Sequence, residues 1–82
     1  MTQTQQQRNV EQAAALGFTE IAPTAKYMVF DLHAKCVRTG GMYKLYLGRR
    51  GAMRVGPNVS TSRPCSWQWL ESLAERQKGA VA

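Results

Sequence analysis

Eighty-two residues with 11 Lys/Arg against 5 Asp/Glu, a net charge of +6, make one basic domain. A chain this short buries only about 60–65 % of its unfolded surface, so its core is modest and a large enclosed active-site cavity is disfavoured. Hydrophobic residues at 44 % and aromatics at 9 % set it apart from a disordered tail, and no run approaches the ~20 apolar residues of a membrane-spanning helix.

The first residues, MTQTQQQRN, are polar, with no apolar leader segment. That predicts a cytoplasmic protein whose two thiols, Cys36 and Cys65, are reduced. Residues 1–3 are expected to fray. A helix fits Thr4 to Leu16, with Val10, Ala14, Gly17 and Phe18 at i, i+4, i+7 and i+8 and Gly17 as the stop. Its apolar face is thin and mostly alanine. Phe18–Ala25 reads as a connector broken by Pro23. Lys26–Leu32 reads as a strand, with Met28, Phe30 and Leu32 on one face and Tyr27, Val29 and Asp31 on the other. His33–Arg38 admits an extended strand or one helical turn capped by Asp31; the extended reading, turning at Gly40-Gly41, is preferred.

Met42–Gly56, MYKLYLGRRGAMRVG, organises the rest of the chain as a β-hairpin with two arginines at its tip. Loops of two or four residues would pair Leu47 with Ala52 and Leu45 with Arg54, mixing apolar and charged groups on one face. Odd loops separate them. Three residues would pair Leu45 with Met53 and Tyr43 with Val55; five would pair Leu47 with Met53 and Leu45 with Val55. Either way Gly48 or Gly51 supplies positive φ. Tyr43, Leu45, Leu47, Met53 and Val55 form the buried face. Lys44, Tyr46 and Arg54 form the opposite face, with Arg49 and Arg50 at the tip.

Gly56–Ser66, GPNVSTSRPCS, is a loop by composition. A final helix is expected from about Cys65 to Lys78, with Trp67, Leu70, Leu73 and Ala74 as its core stripe, Trp69 at the edge and Gly79 as its end. Ala80–Ala82 should be loose. The expected architecture is α+β: an N-terminal helix, a three-stranded antiparallel sheet and a C-terminal helix packed on one sheet face.

Charge is segregated. Residues 26–63 hold eight cations (Lys26, Lys35, Arg38, Lys44, Arg49, Arg50, Arg54, Arg63) against Asp31 alone, a net +7, whereas the flanks hold three cations against four acids. Such a middle favours an anionic partner. Lys44, Arg49, Arg50, Arg54 and Arg63 are candidate phosphate contacts and Tyr46 a candidate stacking ring; a solvated strand face would use the same residue types. Ser60, Thr61 and Ser62, beside Arg63 and a helix start, are a candidate phosphate loop, or an ordinary capping loop. Trp67 and Trp69 point about 200° apart on a helix, so one is core and Trp69 is a candidate interface anchor.

Catalysis and metal binding have little to stand on. His33, Cys36 and Cys65 offer three ligands where a structural zinc needs four. A Cys65–His33 nucleophile oriented by Asp31 needs a cleft that so small a domain does not offer. No catalytic residue, metal, cofactor or small-molecule substrate is therefore expected.

The run YLGRRGAMRVGPNVSTSRP at Tyr46–Pro64 resembles a pattern in small uncharacterised phage and prophage proteins: a strand, then G-x-x-G-A-x-R-x-G, then S-x-S. Gly48, Gly51, Ala52, Arg54, Gly56, Ser60 and Ser62 carry the match, which covers about a quarter of the chain. The resemblance implies a phage setting, and so a host-cell cytoplasm, and implies no catalysis. A three-stranded sheet followed by a helix is also similar to the DNA-binding arm domains of phage integrases, an analogy of fold alone. The expectation is a small basic phage-type protein that binds nucleic acid through a cationic hairpin face. The alternative is a phage-encoded inhibitor of a host defence or transcription protein, reached through an acidic surface on that partner. A homodimer would cover apolar area that a small core leaves exposed.

Overall fold

A computed structural model describes residues 4–35 and 40–81, with side chains described as far as Gln77. The expected fraying of residues 1–3, the role of Cys36 and the far part of the 33–38 stretch lie outside the described residues.

Thr4 caps helix α1 (Gln5–Ala15). Its Oγ1 accepts the Gln7 N–H while Gln7 Oε1 accepts the Thr4 N–H, which satisfies two otherwise orphaned donors. At the other end the N–H groups of Gly17 and Phe18 donate to the Ala14 and Ala13 carbonyls, the paired bonds that close a helix at a glycine. The buried stripe is rotated by one residue from the expected one. Asn9 and Ala13 are buried, Val10 and Leu16 pack partly buried on the core, and Ala14 is exposed. Asn9 Oδ1 accepts from Gln5 Nε2 at 3.1 Å; hydropathy periodicity cannot register a buried amide of this kind.

Five strands follow: β1 (Thr19–Ile21), β2 (Tyr27–Lys35), β3 (Met42–Gly48), β4 (Met53–Gly56) and β5 (Arg63–Pro64), each antiparallel to the next. The three expected strands are β2, β3 and β4. The sheet is nonetheless five-stranded, because β1 forms within the segment read as a connector and β5 within the segment read as a loop. Runs of two or three residues show no period of two; pairing with the outer edges of β2 and β4 makes them strands. Thr24 closes the β1–β2 turn, its hydroxyl accepting the N–H groups of Lys26 and Tyr27.

One face of the sheet carries Phe30 and Leu32 from β2 and Leu45 and Leu47 from β3, all buried, with Met53 and Val55 of β4 packed against them. Helix α2 (Trp67–Val81) places Leu70, Leu73 and Ala74 in the same cluster, with Trp67 partly buried beside them. This is the packing that the spacing of its apolar residues predicts. The thin-faced α1 joins it on that face through Ala13, where small side chains allow close approach. Two amides pin the helices to the sheet: Gln6 Nε2 donates to the Leu47 carbonyl at 2.9 Å and Gln77 Nε2 to the Leu32 carbonyl at 2.6 Å. Ser66 caps α2 by accepting the Trp69 N–H. The helix continues through Gly79 to Val81 instead of stopping at Lys78, since one glycine costs a helix only about 1 kcal/mol and is no stop without a closing bond. Among the described residues no helix is long and apolar enough to cross a membrane.

Both helices therefore lie on one side, and among the described residues no helix lies on the second face of the sheet.

Candidate nucleic-acid interface

The hairpin takes the five-residue register, Leu47 opposite Met53 and Leu45 opposite Val55. Gly51 N–H donates to the Gly48 carbonyl and Gly48 N–H to the Ala52 carbonyl, so Arg49 and Arg50 occupy the corners of a tight turn. Gly51 has φ +88 and lies so close to Gln5 of α1 that a Cβ would sit 2.6 Å from Gln5 Cγ. An L side chain there meets both a left-handed backbone and a helix. The first turn of α1 thus backs the tip, and the positive end of its dipole adds to the field of the two arginines.

Register places the side chains of the helix-free face in rows. Thr19, Asp31, Lys44 and Gly56 form one row, Ile21, Val29, Tyr46, Arg54 and Pro64 the next, and Tyr27 with Gly48 the row at the tip. Lys44, Tyr46 and Arg54 are on this face as expected, but two of them are not available as expected. Tyr46 is only 4 % exposed, edge-on to Tyr27 with ring centroids 5.9 Å apart. Burial raises its phenol pKa. A ring covered in this way cannot stack on a base. It is central in the sheet, between Val29 and Arg54. Arg54 is half-buried and braces the following loop: Nε donates to Ser62 Oγ at 2.8 Å and Nη2 to the Ser62 carbonyl at 2.7 Å. Lys44 is half-buried and directly opposite Asp31 in the register.

The hydroxyl-rich loop is a self-contained turn. Asn58 Oδ1 accepts from Ser60 Oγ, Thr61 N–H and Thr61 Oγ1. Ser62 is buried and its hydroxyl donates to the Val59 carbonyl at 2.7 Å. All three hydroxyl donors expected to meet a phosphate are engaged inside the loop. Arg63 is exposed but pairs with Val55, so register assigns it to the helix-bearing side at the sheet edge, apart from the other cations. Trp69 is 36 % exposed and packs edge-on against Tyr43 at 6.1 Å, also on the helix-bearing side. The cations and the anchor expected on one surface are on two.

What the fold does gather is a shallow open depression of about 380 Å³ at the tip end of the helix-free face, lined by Ala25, Lys26, Tyr27, Gly48, Arg49, Arg50 and Ala52. Tyr27 is partly exposed, and its ring lies against the space above Gly48. Among the described residues no hydrogen bond or ion pair engages the side chains of Lys26, Arg49 or Arg50. Three cations with no such partner among the described residues thus line the same depression as one aromatic ring. Lys26 and Tyr27 carry no motif that marks them. The signal that finds them is topological: an antiparallel strand preceding the hairpin must bring its first residues beside the tip, here Tyr27 opposite Gly48.

His33 is the one non-glycine residue with positive φ among the described residues, at +54. It sits where the β2–β3 register shifts between Asp31 and Lys35. The bulge turns the imidazole toward β1, with Nε2 2.8 Å from Thr19 Oγ1, while the His33 N–H donates to Asp31 Oδ1 at 2.9 Å. Nδ1 is 4.0 Å from that carboxylate oxygen, beyond hydrogen-bond reach. Asp31 therefore steadies the backbone of the bulge instead of orienting the ring for proton transfer. Cys65 packs against the core on the other side of the sheet, where burial pushes its thiol up to about 11. It is neither ionised at neutral pH nor placed to meet His33.

Five of the seven positions singled out in the Tyr46–Pro64 run have physical reasons in this fold. Gly51 is required by φ and by Gln5. Gly56 faces the Ser62 backbone, where a Cβ would fall 2.8 Å from Ser62 Cα. Arg54 and Ser62 bond each other, and Ser60 bonds Asn58. The pattern describes how a hairpin and its following loop lock together. Comparison with protein-family models, with curated proteins and with solved structures finds no match for this chain.

Proposed function

We propose that this protein binds nucleic acid at the tip end of the helix-free sheet face, with Lys26, Arg49 and Arg50 on phosphates and Tyr27 against a base. The observation that supports this reading is that three cations, unpaired among the described residues, line one depression with a partly exposed aromatic ring. Lys44 extends the positive surface along the sheet, and Arg54 belongs to the scaffold beneath it. The phage setting implied by the run at Tyr46–Pro64 is part of the proposal.

The test is binding of labelled oligonucleotides over a salt series. Each lost phosphate contact removes about 0.7 from the log–log salt slope for a single strand, so the Arg49→Gln/Arg50→Gln pair should lower it by about 1.4. An unchanged slope would reject both residues as phosphate contacts.

A second reading, inhibition of a host protein through its acidic surface, is favoured by the exposed Trp69 seated on Tyr43. Its partner would have to reach around from the helix layer to the tip, because Tyr43 and Gly48 are five residues, about 16 Å, apart along β3. A stoichiometric protein partner recovered after nuclease treatment, and lost in Trp69→Ala, would favour this reading over the first.

A further inference from the structure

Resting on the nucleic-acid reading, we infer that the site takes a single strand, and that one unpaired base stacks on Tyr27. The first argument is the shape of the ribbon. A β-ribbon reads a duplex by entering the major groove, which is about 12 Å wide. Here β3 and β4 cannot enter. They are flanked by β2 and β5 and backed by both helices, and strands about 4.8 Å apart make a five-strand sheet roughly 20 Å across. Only the two-residue tip projects, and it can touch a duplex backbone but not its base edges.

The second argument is the ring. Tyr27 is held by its edge-on contact with Tyr46 and by its seat over Gly48, so its orientation is set before anything binds. Bases inside a duplex are stacked on one another and present no free π-face, so away from duplex ends a fixed, partly exposed ring can stack only on an unpaired base. The third is size. At about 380 Å³ the depression lies at the small end of ligand clefts. It suits one nucleotide unit with its base on Tyr27 and its flanking phosphates on Lys26, Arg49 and Arg50.

Fluorescence anisotropy of the full chain at low salt tests this with four labelled probes of equal length: single-stranded DNA, single-stranded RNA of the same sequence, the blunt DNA duplex, and a strand of abasic units with the same phosphate count. The single strand, with either sugar, should bind at least ~10-fold tighter than the duplex, and the abasic strand should lose roughly 5- to 150-fold, the range of one stacked base. Tyr27→Ala should lose a similar factor on the single strand and almost none on the duplex, and Tyr27→Phe should retain binding. Duplex binding equal to or tighter than single-strand binding, or an abasic strand that binds as well as the normal one, would overturn the inference while leaving the nucleic-acid reading in place. Failure of all four probes to bind would overturn both. The abasic probe acts on the unaltered protein, so it decides the matter even if the Tyr27 variants unfold.

Discussion

Arg54 is the residue for which sequence and structure assign different work, and its replacement separates them. In Arg54→Met the stem keeps much of its packing while two charge-assisted bonds to Ser62, at 2.8 and 2.7 Å, are lost. Bonds to a charged partner contribute about 1.5–3 kcal/mol net, and a buried carbonyl left without its donor costs about 1–3 kcal/mol. Ser62 is buried, but its hydroxyl keeps the Val59 carbonyl, and Arg54 itself is only half-buried, so water replaces part of what is lost. The expected cost is about 2 kcal/mol. For a chain of this size that lowers Tm by roughly 8–16 °C. Urea unfolding followed by tryptophan fluorescence measures it, with an unchanged m-value showing that the native state stays compact. In a Ser62→Ala background the same substitution should cost less, because only the bond to the backbone carbonyl remains to be lost. The salt slope of nucleic-acid binding should not change. A cost below about 0.5 kcal/mol, the range of ordinary surface substitutions, would refute the assignment of Arg54 to the scaffold.

Two further outcomes are expected. Gly56→Ala puts a methyl group against the Ser62 backbone, which cannot give as a flexible side-chain end could; overpacking of this kind costs about 1–3 kcal/mol, and native-state hydrogen exchange should show the 57–62 loop opening first, whereas wild-type protection of the Ser62 amide would count against the close approach. Stability should also fall in alkali. The folded Cys65 thiol, up at about 11 from an ordinary 9.0, holds its proton while the unfolded chain releases one, so this contribution is whole below pH 9 and is lost as pH rises toward 11. Tyr46, also raised by burial, acts with the same sign at higher pH. With Cys36→Ser as the common background, Cys65→Ala should flatten the decline in urea midpoint between pH 9 and 11; an equal decline in both proteins would contradict the burial of the thiol.

Short-range chemistry was readable from the chain alone. The start of α1 near Thr4, the stop at Gly17, the odd hairpin loop and the apolar stripe of α2 each depend on residues within one turn or one strand pair, so local pattern suffices. The segregation of charge is likewise a property of composition. What tertiary structure decided depends on neighbours distant in sequence. β1 and β5 are strands only because β2 and β4 offer them edges. Tyr46 and Arg54 lie on the face that alternation assigns, yet the first is buried there with its ring edge-on to Tyr27, and the return of the chain at Ser62 engages the second. Lys26 and Tyr27 became the candidate site because antiparallel pairing brings them beside a tip more than twenty residues further along the chain. Alternation tells which side of a sheet a residue takes; whether it remains accessible there depends on what the rest of the chain lays over it.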